Sequence, residues 1–369
     1  MVEQTLRKEV LAKADLAALL AATQAEEVEA IRRAAEDVLR RHCGNAVYLR
    51  GLIEFSNLCV HDCYYCGIRS GNRRAHRYTL TMEEVLEAAC GCARGGYGSI
   101  VLQSGERRDE GFLSFVEQAV RAIKRETVCE QLPRGLGITL CVGEQSPQAY
   151  ERFFAAGAHR YLLRIETSSP HLFARIHPPG QKWETRLACL HTLREIGFQV
   201  GTGVMIGLPG QTAEDLADDI LFFREQDVDM IGMGPYLPHR HTPMAVHEAD
   251  VRGRWGDLYR SSLLMIAATR LVLKDVNIAA TTALQAMKHT GREEGLTYGA
   301  NVLMPQVTPE RVRRDYLLYE GKPCLDGSLG WHTRLENRIR ALGRTIGYNA
   351  WGDSPRARAR GRAISLDRG

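Results

Sequence analysis

VYLRGLIEFSNLCVHDCYYCGIRS, residues 47–70, decides the fold and much of the chemistry. Its first nine residues, 47–55, are rich in aliphatic and aromatic side chains and read as a buried strand. The strand runs straight into a polar, glycine-containing loop that carries Cys59, Cys63 and Cys66. Spacings of three residues and then two put three thiols on one tight loop, where a cubane [4Fe–4S] cluster takes four ligands. Three cysteines leave one iron open, and an open position separates a catalytic metal site from a closed structural one. The open iron suits chelation by the amino and carboxylate groups of S-adenosylmethionine (SAM). Tyr65, just before the last cysteine, is placed to line an adenine pocket.

Simpler readings fit less well. A zinc site needs a fourth Cys or His at ligand spacing. His61, inside the loop, is badly placed for that and reads as a solvated loop residue. A disulfide is disfavoured because the charged start, MVEQTLRKEV, carries no secretory signal.

With 369 residues, 44% hydrophobic and 25% charged, the chain has an ordinary globular composition and room for one large domain or two. A net charge of +4 is too mild to indicate nucleic acid. No apolar run reaches the roughly 20 residues that span a bilayer, so no membrane partner is expected either. Ten cysteines at irregular spacing, three of them in one loop, indicate a reducing, anaerobic cytoplasm.

Outward from the cysteine loop, short apolar runs alternate with helical patterns, the mark of a parallel sheet. The runs are 47–55, 99–106, 137–144, 160–167, 199–212, 228–238, 277–284 and 298–305. Eight β-α units over roughly 260 residues match a TIM-type barrel, for which about 250 is typical. The expected fold class is α/β, a complete (β/α)8 TIM-type barrel at 45–309. An N-terminal helical cap is expected at 1–44 and a C-terminal extension packed on the barrel at 310–352. Residues 353–369, with Arg356, Arg358, Arg360 and Arg362, read as a basic, disordered tail. Gly44 marks a helix stop, and Thr81 with Glu84 forms a capping box.

Barrels of this type carry their chemistry at the C-terminal strand ends. Those ends supply Gln103, Ser104, Gly105 and Glu106 after strand two, and Thr139 and Cys141 on strand three. Strand four ends in Arg164, Glu166 and Thr167, and strand seven carries Thr281 and Thr282. Arginine and glutamate in LLRIET are costly within a buried strand unless paired or bound to ligand. Alternation puts both on one inward face. GLPGQT (207–212) lacks the lysine and spacing of a phosphate loop. It reads as a tight turn before a helix capped by Thr212 and Asp215. His239 and His241, with no third ligand nearby, read as loop residues.

Taken in series, RGLIEFSNLCVHDCYYCGIR, IVLQSGE, RYLLRIET, GLPGQTAEDLADDI, DMIGMGP, AATTA and GANVLMPQVTP resemble the HydE family of radical SAM enzymes, the [FeFe]-hydrogenase maturases. The likeness runs over about residues 45–350. It implies one [4Fe–4S] cluster on Cys59, Cys63 and Cys66, which are thereby the catalytic cysteines, together with SAM. It implies SAM contacts from Tyr65, Gln103, Ser104, Gly105, Glu106, Glu166, Arg186, Met230 and Gly232, with Arg186 on the SAM carboxylate and Glu166 on the ribose. Arg50, Thr139, Arg164, Thr281, Thr282 and Tyr316 would line the far, substrate end of the cavity.

The activity so implied is reductive cleavage of SAM to a 5′-deoxyadenosyl radical that acts on an iron–cysteine–CO–cyanide precursor of the hydrogenase di-iron subsite. HydG and HydF are the implied transient partners, with a reducing electron donor. Some members carry a second cysteine trio; here Cys324 stands alone, with His332 and Leu335 at the neighbouring positions, so no second cluster is expected.

Other functions compete with this one. Biotin synthase shares the loop but draws ligands for a second cluster from several strands, and here only Cys141 sits comparably. A methylornithine synthase-like radical mutase is the nearer enzymatic alternative, with IEFSN and AATTA favouring HydE. A non-enzymatic iron–sulfur carrier or scaffold would saturate its cluster with a fourth thiolate and would have no use for a deep polar barrel.

Overall fold

The computed structural model describes residues 2–323 and 331–361. Its longest strand is β1 (Ala46–Ser56), followed in the chain by β2 (Ser99–Ser104), β3 (Gly137–Cys141), β4 (Arg160–Leu162) and β5 (Gln199–Thr202). Then come β6 (Met205–Ile206), β7 (Met230–Ile231), β8 (Gly234–Pro235), β9 (Asn277–Ile278), β10 (Val302–Leu303) and β11 (Thr345–Ile346). The sheet runs β10-β1-β2-β3-β4-β5-β7-β9, with β11 branching off β1. Every neighbouring pair is parallel. Eight parallel strands thus make one curled sheet, with helices between successive strands as the sequence predicts. The two ends of the path meet at an Ala279–Val302 bridge. There Asn301 N–H donates to Ile278 O (2.9 Å) and Ala280 N–H to Val302 O (3.0 Å).

Some strands are shorter than their apolar runs. Run 160–167 pairs regularly only through Leu162. Beyond it, the Thr202 hydroxyl takes the Ile165 N–H (3.0 Å) and donates to Leu163 O (2.8 Å), replacing ladder bonds. Run 277–284 is strand only at Asn277–Ile278, and a helix occupies Thr282–Met287. Thr281 sits extended at its N-cap, and TALQAM is rich in helix formers.

The helix Met82–Arg94 is capped as expected, Thr81 and Glu84 bonding reciprocally, and Thr212 and Asp215 repeat the arrangement. The N-terminal region forms helices Val2–Leu6, Lys13–Leu20 and Ala25–Cys43. The third buries Ile31, Ala35, Val38 and Leu39, one apolar stripe, and Gly44 ends it at φ 78°. These helices pack on the outer layer, Lys13–Leu20 against Ala213–Glu225 and Ala25–Cys43 against Trp255–Val272.

The segment after β11 lies across the N-terminal ends of the strands. Trp351 O accepts from Ser99 and Arg160, and Gly352 O from Arg50 and Asn277. Residues 353–361, expected in a disordered tail, belong to this plug. Ser354 caps a short helix, Pro355–Ala359. Arg356 bonds Asp275 (2.8 Å) and Asp227 (3.2 Å), and Arg360 pairs with Asp227 and Asp229. Composition marks those arginines as solvated; acids 81 to 133 residues earlier, brought to one end of the sheet, hold them down. Residues 362–369 lie outside the described residues. Among the described residues, no helix is long and apolar enough to cross a membrane.

Candidate functional site

At the opposite, C-terminal end of the strands, residues 57–78 form an irregular loop held by side chains rather than by a ladder. Asn57 donates to His76 O and Asp315 O (2.7 Å each) and accepts from Tyr78 N–H (2.9 Å). The Arg77 guanidinium gathers the carbonyls of Asn57, Ile68, Arg69 and Asn72. Gly105 must be glycine, since a Cβ there would stand 2.3 Å from Leu58 O. That close approach brings strand two against the loop, and the Glu106 N–H points at the Cys59 sulfur at 3.4 Å.

Cys59, Cys63 and Cys66 all line one cavity of about 300 Å³, at the lower end of the range typical of ligand pockets. Burial pushes the Cys63 thiol up to about 12 and raises Cys59 and Cys66 as well. Three soft sulfur donors on one loop fit an iron–sulfur cluster. Buried thiols give up their protons when such a metal group binds, so binding is coupled to proton release.

The same cavity is lined by Tyr65, Gln103, Ser104, Gly105, Glu106, Glu166, Arg186 and Gly232, and also by Arg164, Thr281, Thr282 and Tyr316. Arg164 and Glu166 pair at 3.1 Å, as their shared face predicts, and Glu166 is held at φ 69°, left-handed for a non-glycine residue. Tyr65 Oη lies 3.3 Å from both Glu166 Oε1 and His177 Nε2. Arg186 is fixed on two nitrogens, Nε donating to Glu144 (2.6 Å) and Nη1 to Arg164 O (2.8 Å). Ser104 turns its hydroxyl onto Gly105 O (2.7 Å). Gln103 hydrogen-bonds the buried Tyr316 phenol. The Thr281 hydroxyl is buried and unpartnered.

Three expected site residues lie elsewhere. Arg50, Thr139 and Met230 line a separate pocket of about 20 Å³ nearer the N-terminal end of the strands. Arg50 Nη1 contacts Met230 Sδ (3.1 Å), and Thr139 Oγ1 accepts from Arg160 Nε (3.0 Å). They sit one layer too low, because inward-pointing side chains of a curled sheet stack in layers along its axis. Gly232 borders both spaces.

His61 is not a solvated loop residue. Its Nε2 lies 2.7 Å from Glu106 Oε1, and Glu106 also accepts from Arg108 and from Glu144 N–H (2.8 Å). His239 is a buried loop residue whose ring packs on His241. Cys324 lies outside the described residues.

Sequence reasoning missed Glu54, Gln306 and Lys322. Glu54 is buried at 1% exposure on β1, where Lys322 and Gln306 both donate to its carboxylate. The signal was present: a glutamate inside GLIEF is as costly as the charges in LLRIET. Glu144 and Gln181 were also missed.

Residues 53–223 match the radical SAM superfamily. The curled parallel sheet, with its three-cysteine loop at the C-terminal strand ends, is that class of enzyme, and the superfamily implies a [4Fe–4S] cluster and SAM. Within it, the chain is 41% identical over 330 residues to the [FeFe] hydrogenase maturase subunit HydE of Thermotoga maritima, covering 89% of each. The chain belongs to the HydE family. Methylornithine synthase shares the fold at TM-score 0.77 and 24% identity, covering 94% of this chain and 97% of that one. The maturase HydG from Carboxydothermus hydrogenoformans does so at 0.75 and 18%, covering 94% and 79%. Identities this low speak for the fold alone.

Proposed function

We propose that this enzyme cleaves SAM reductively and acts on an iron–cysteine–CO–cyanide precursor in assembly of the [FeFe]-hydrogenase di-iron subsite. The observation that carries the reading is the sharing of one cavity by the three thiols and the Arg164, Glu166 and Arg186 set. When bound, the cluster and SAM supply one-electron cleavage of the sulfonium S–C5′ bond.

The chain's own residues do the rest. Cys59, Cys63 and Cys66 hold the cluster as thiolates. Arg186, locked by Glu144, offers a planar guanidinium to a carboxylate. Glu166, oriented by Arg164 and Tyr65, accepts from ribose hydroxyls. Tyr65, Gln103, Ser104, Gly105, Glu106 and Gly232 complete the SAM wall, and Arg164, Thr281, Thr282 and Tyr316 face the substrate. The strand ends, with Tyr316, Leu318, Tyr319 and Lys322, wall the cavity on several sides and so limit the access of water to a reactive radical.

The contacts between β9 and β10 support closure of the sheet into a complete barrel over 45–309, with 1–44 as a helical layer and 310–352 as an extension packed on it. One cluster per chain, a cytoplasmic setting, an external reductant and transient contact with HydG and HydF complete the proposal. The test is maturation of apo-hydrogenase with HydG, HydF, SAM and reductant, with and without this protein. Gain of hydrogen evolution only when it is present is the expected result, and equal activity without it would overturn the reading.

A further inference from the structure

Gln181 ends the stretch HPPGQ (177–181), which brings its side chain to the cysteine loop. The turn is pinned at both ends: Gln181 N–H donates to Pro178 O (2.9 Å), and Tyr64 N–H to Ile176 O (3.0 Å). Two prolines restrict its backbone further. The residue is only 8% exposed and borders the cavity. Its Oε1 lies 3.3 Å from Cys63 Sγ, while its Nε2 is buried with no hydrogen-bond partner.

That arrangement suits a protonated thiol, which donates to the amide oxygen. A cysteine bound to iron is a thiolate, an acceptor with no proton to give. Facing it with a carbonyl oxygen would be repulsive and would leave two amide protons buried without acceptors. Rotation of the amide by half a turn costs nothing in shape, because its oxygen and nitrogen are nearly isosteric. It places one N–H on the sulfur, so that one amide proton rather than two lacks an acceptor, and the carbonyl oxygen left unpaired in exchange is the cheaper defect. Cys59 already has such a donor in the Glu106 N–H.

We propose that Gln181 is a positioning residue that donates a side-chain hydrogen bond to the Cys63 thiolate and so raises the reduction potential of the cluster. Hydrogen bonds to ligand sulfurs are one of the protein's levers on that potential. Reduction adds negative charge to the cluster, and a donor stabilises the more negative state. The inference rests on the cluster reading above.

Gln181→Met keeps the length of the side chain and Gln181→Leu stays near its bulk, and neither offers a hydrogen-bond donor in its place. Each variant and the wild type are reconstituted anaerobically, assayed for iron, and titrated by electron paramagnetic resonance without SAM. The expected result is the same iron content in all three and a fall in midpoint potential in both variants. A tenfold shift in the reduction equilibrium, about 59 mV for a one-electron couple, is the expected size in both. Potentials equal to wild type would overturn the proposal. Loss of the cluster from both variants would assign Gln181 to holding the loop and would overturn it equally. A wild type without any cluster would instead sink the cluster reading itself.

Discussion

Replacing Asp353 with asparagine tests whether the C-terminal plug holds the fold through charge. Arg160 is fully buried at the first position of β4. Its Nη1 lies 2.6 Å from Asp353 Oδ1, and its other bonds go to neutral oxygens of Thr139, Ser99 and Trp351. Arg50, equally buried nearby, bonds the neutral Gly352 O. Burial lowers His159 to about 3, so at neutral pH it is an uncharged partner of the same carboxylate. Asp353→Asn therefore leaves buried cations without their counter-charge, a change that typically costs about 3–5 kcal/mol. Unfolding entropy of about 2.1 cal/mol/K per residue converts that, for a chain of this length, to a fall in Tm of about 4–6 °C. The assay is anaerobic calorimetry of wild type and variant, with iron content expected unchanged because the cysteine loop sits at the other end of the sheet.

The pH dependence has a definite sign. Burial alone would raise the Asp353 carboxyl, but the His159 hydrogen bond and the Arg160 charge outweigh it and hold the group well below the usual carboxylate range. A carboxyl depressed on folding contributes stability above its unfolded pKa of about 3.9 and loses it as pH falls toward the folded value. The gap between wild type and variant should be flat above about pH 5 and narrow below about pH 4. A Tm change under about 1 °C at neutral pH would show that Arg160 rehydrates freely and would refute the reasoning, since even 1 kcal/mol is worth more than that on the same scale.

Cys63→Ala should abolish both the cluster and SAM cleavage, while the wild type holds about four irons per chain; a count near eight would reveal a second cluster and contradict the single-cluster reading. Arg186→Lys keeps the charge but cannot hold both Glu144 and the Arg164 carbonyl in one plane. SAM affinity should fall about tenfold or more, the loss of roughly one charge-assisted bond, with the cluster spectrum unchanged; unaltered affinity would remove Arg186 from the site. Arg164→Leu should leave the cluster intact and permit slow, uncoupled SAM cleavage while blocking hydrogenase maturation, and maturation at the normal rate would move the substrate's anionic group elsewhere.

The cysteine loop was legible because its chemistry is local: three thiols within eight residues need no tertiary information to be read as candidate ligands of one metal group. The Arg164–Glu166 pair was expected from strand periodicity, and the two do meet, although regular strand ends at Leu162 and Glu166 is left-handed. Depth along the sheet was not legible. Arg50 and Thr139 point inward as expected, yet they fall in a lower layer, because the stagger between neighbouring strands depends on register. The plug shows the same limit, for Arg356 and Arg360 read as a solvated basic run until Asp227, Asp229 and Asp275 are placed beside them.

By itself, the sequence determined the parallel α/β sheet, the family and the three-cysteine loop, all of which rest on periodicity, composition and short spacings. Only the tertiary structure decided which polar residues share the cavity, that Glu54 meets Lys322 and Gln306 more than 250 residues away, and that the C-terminal arginines close the other end of the sheet. Those outcomes depend on which distant charges can escape water together, and burial in common is a property of the folded chain rather than of any stretch of it.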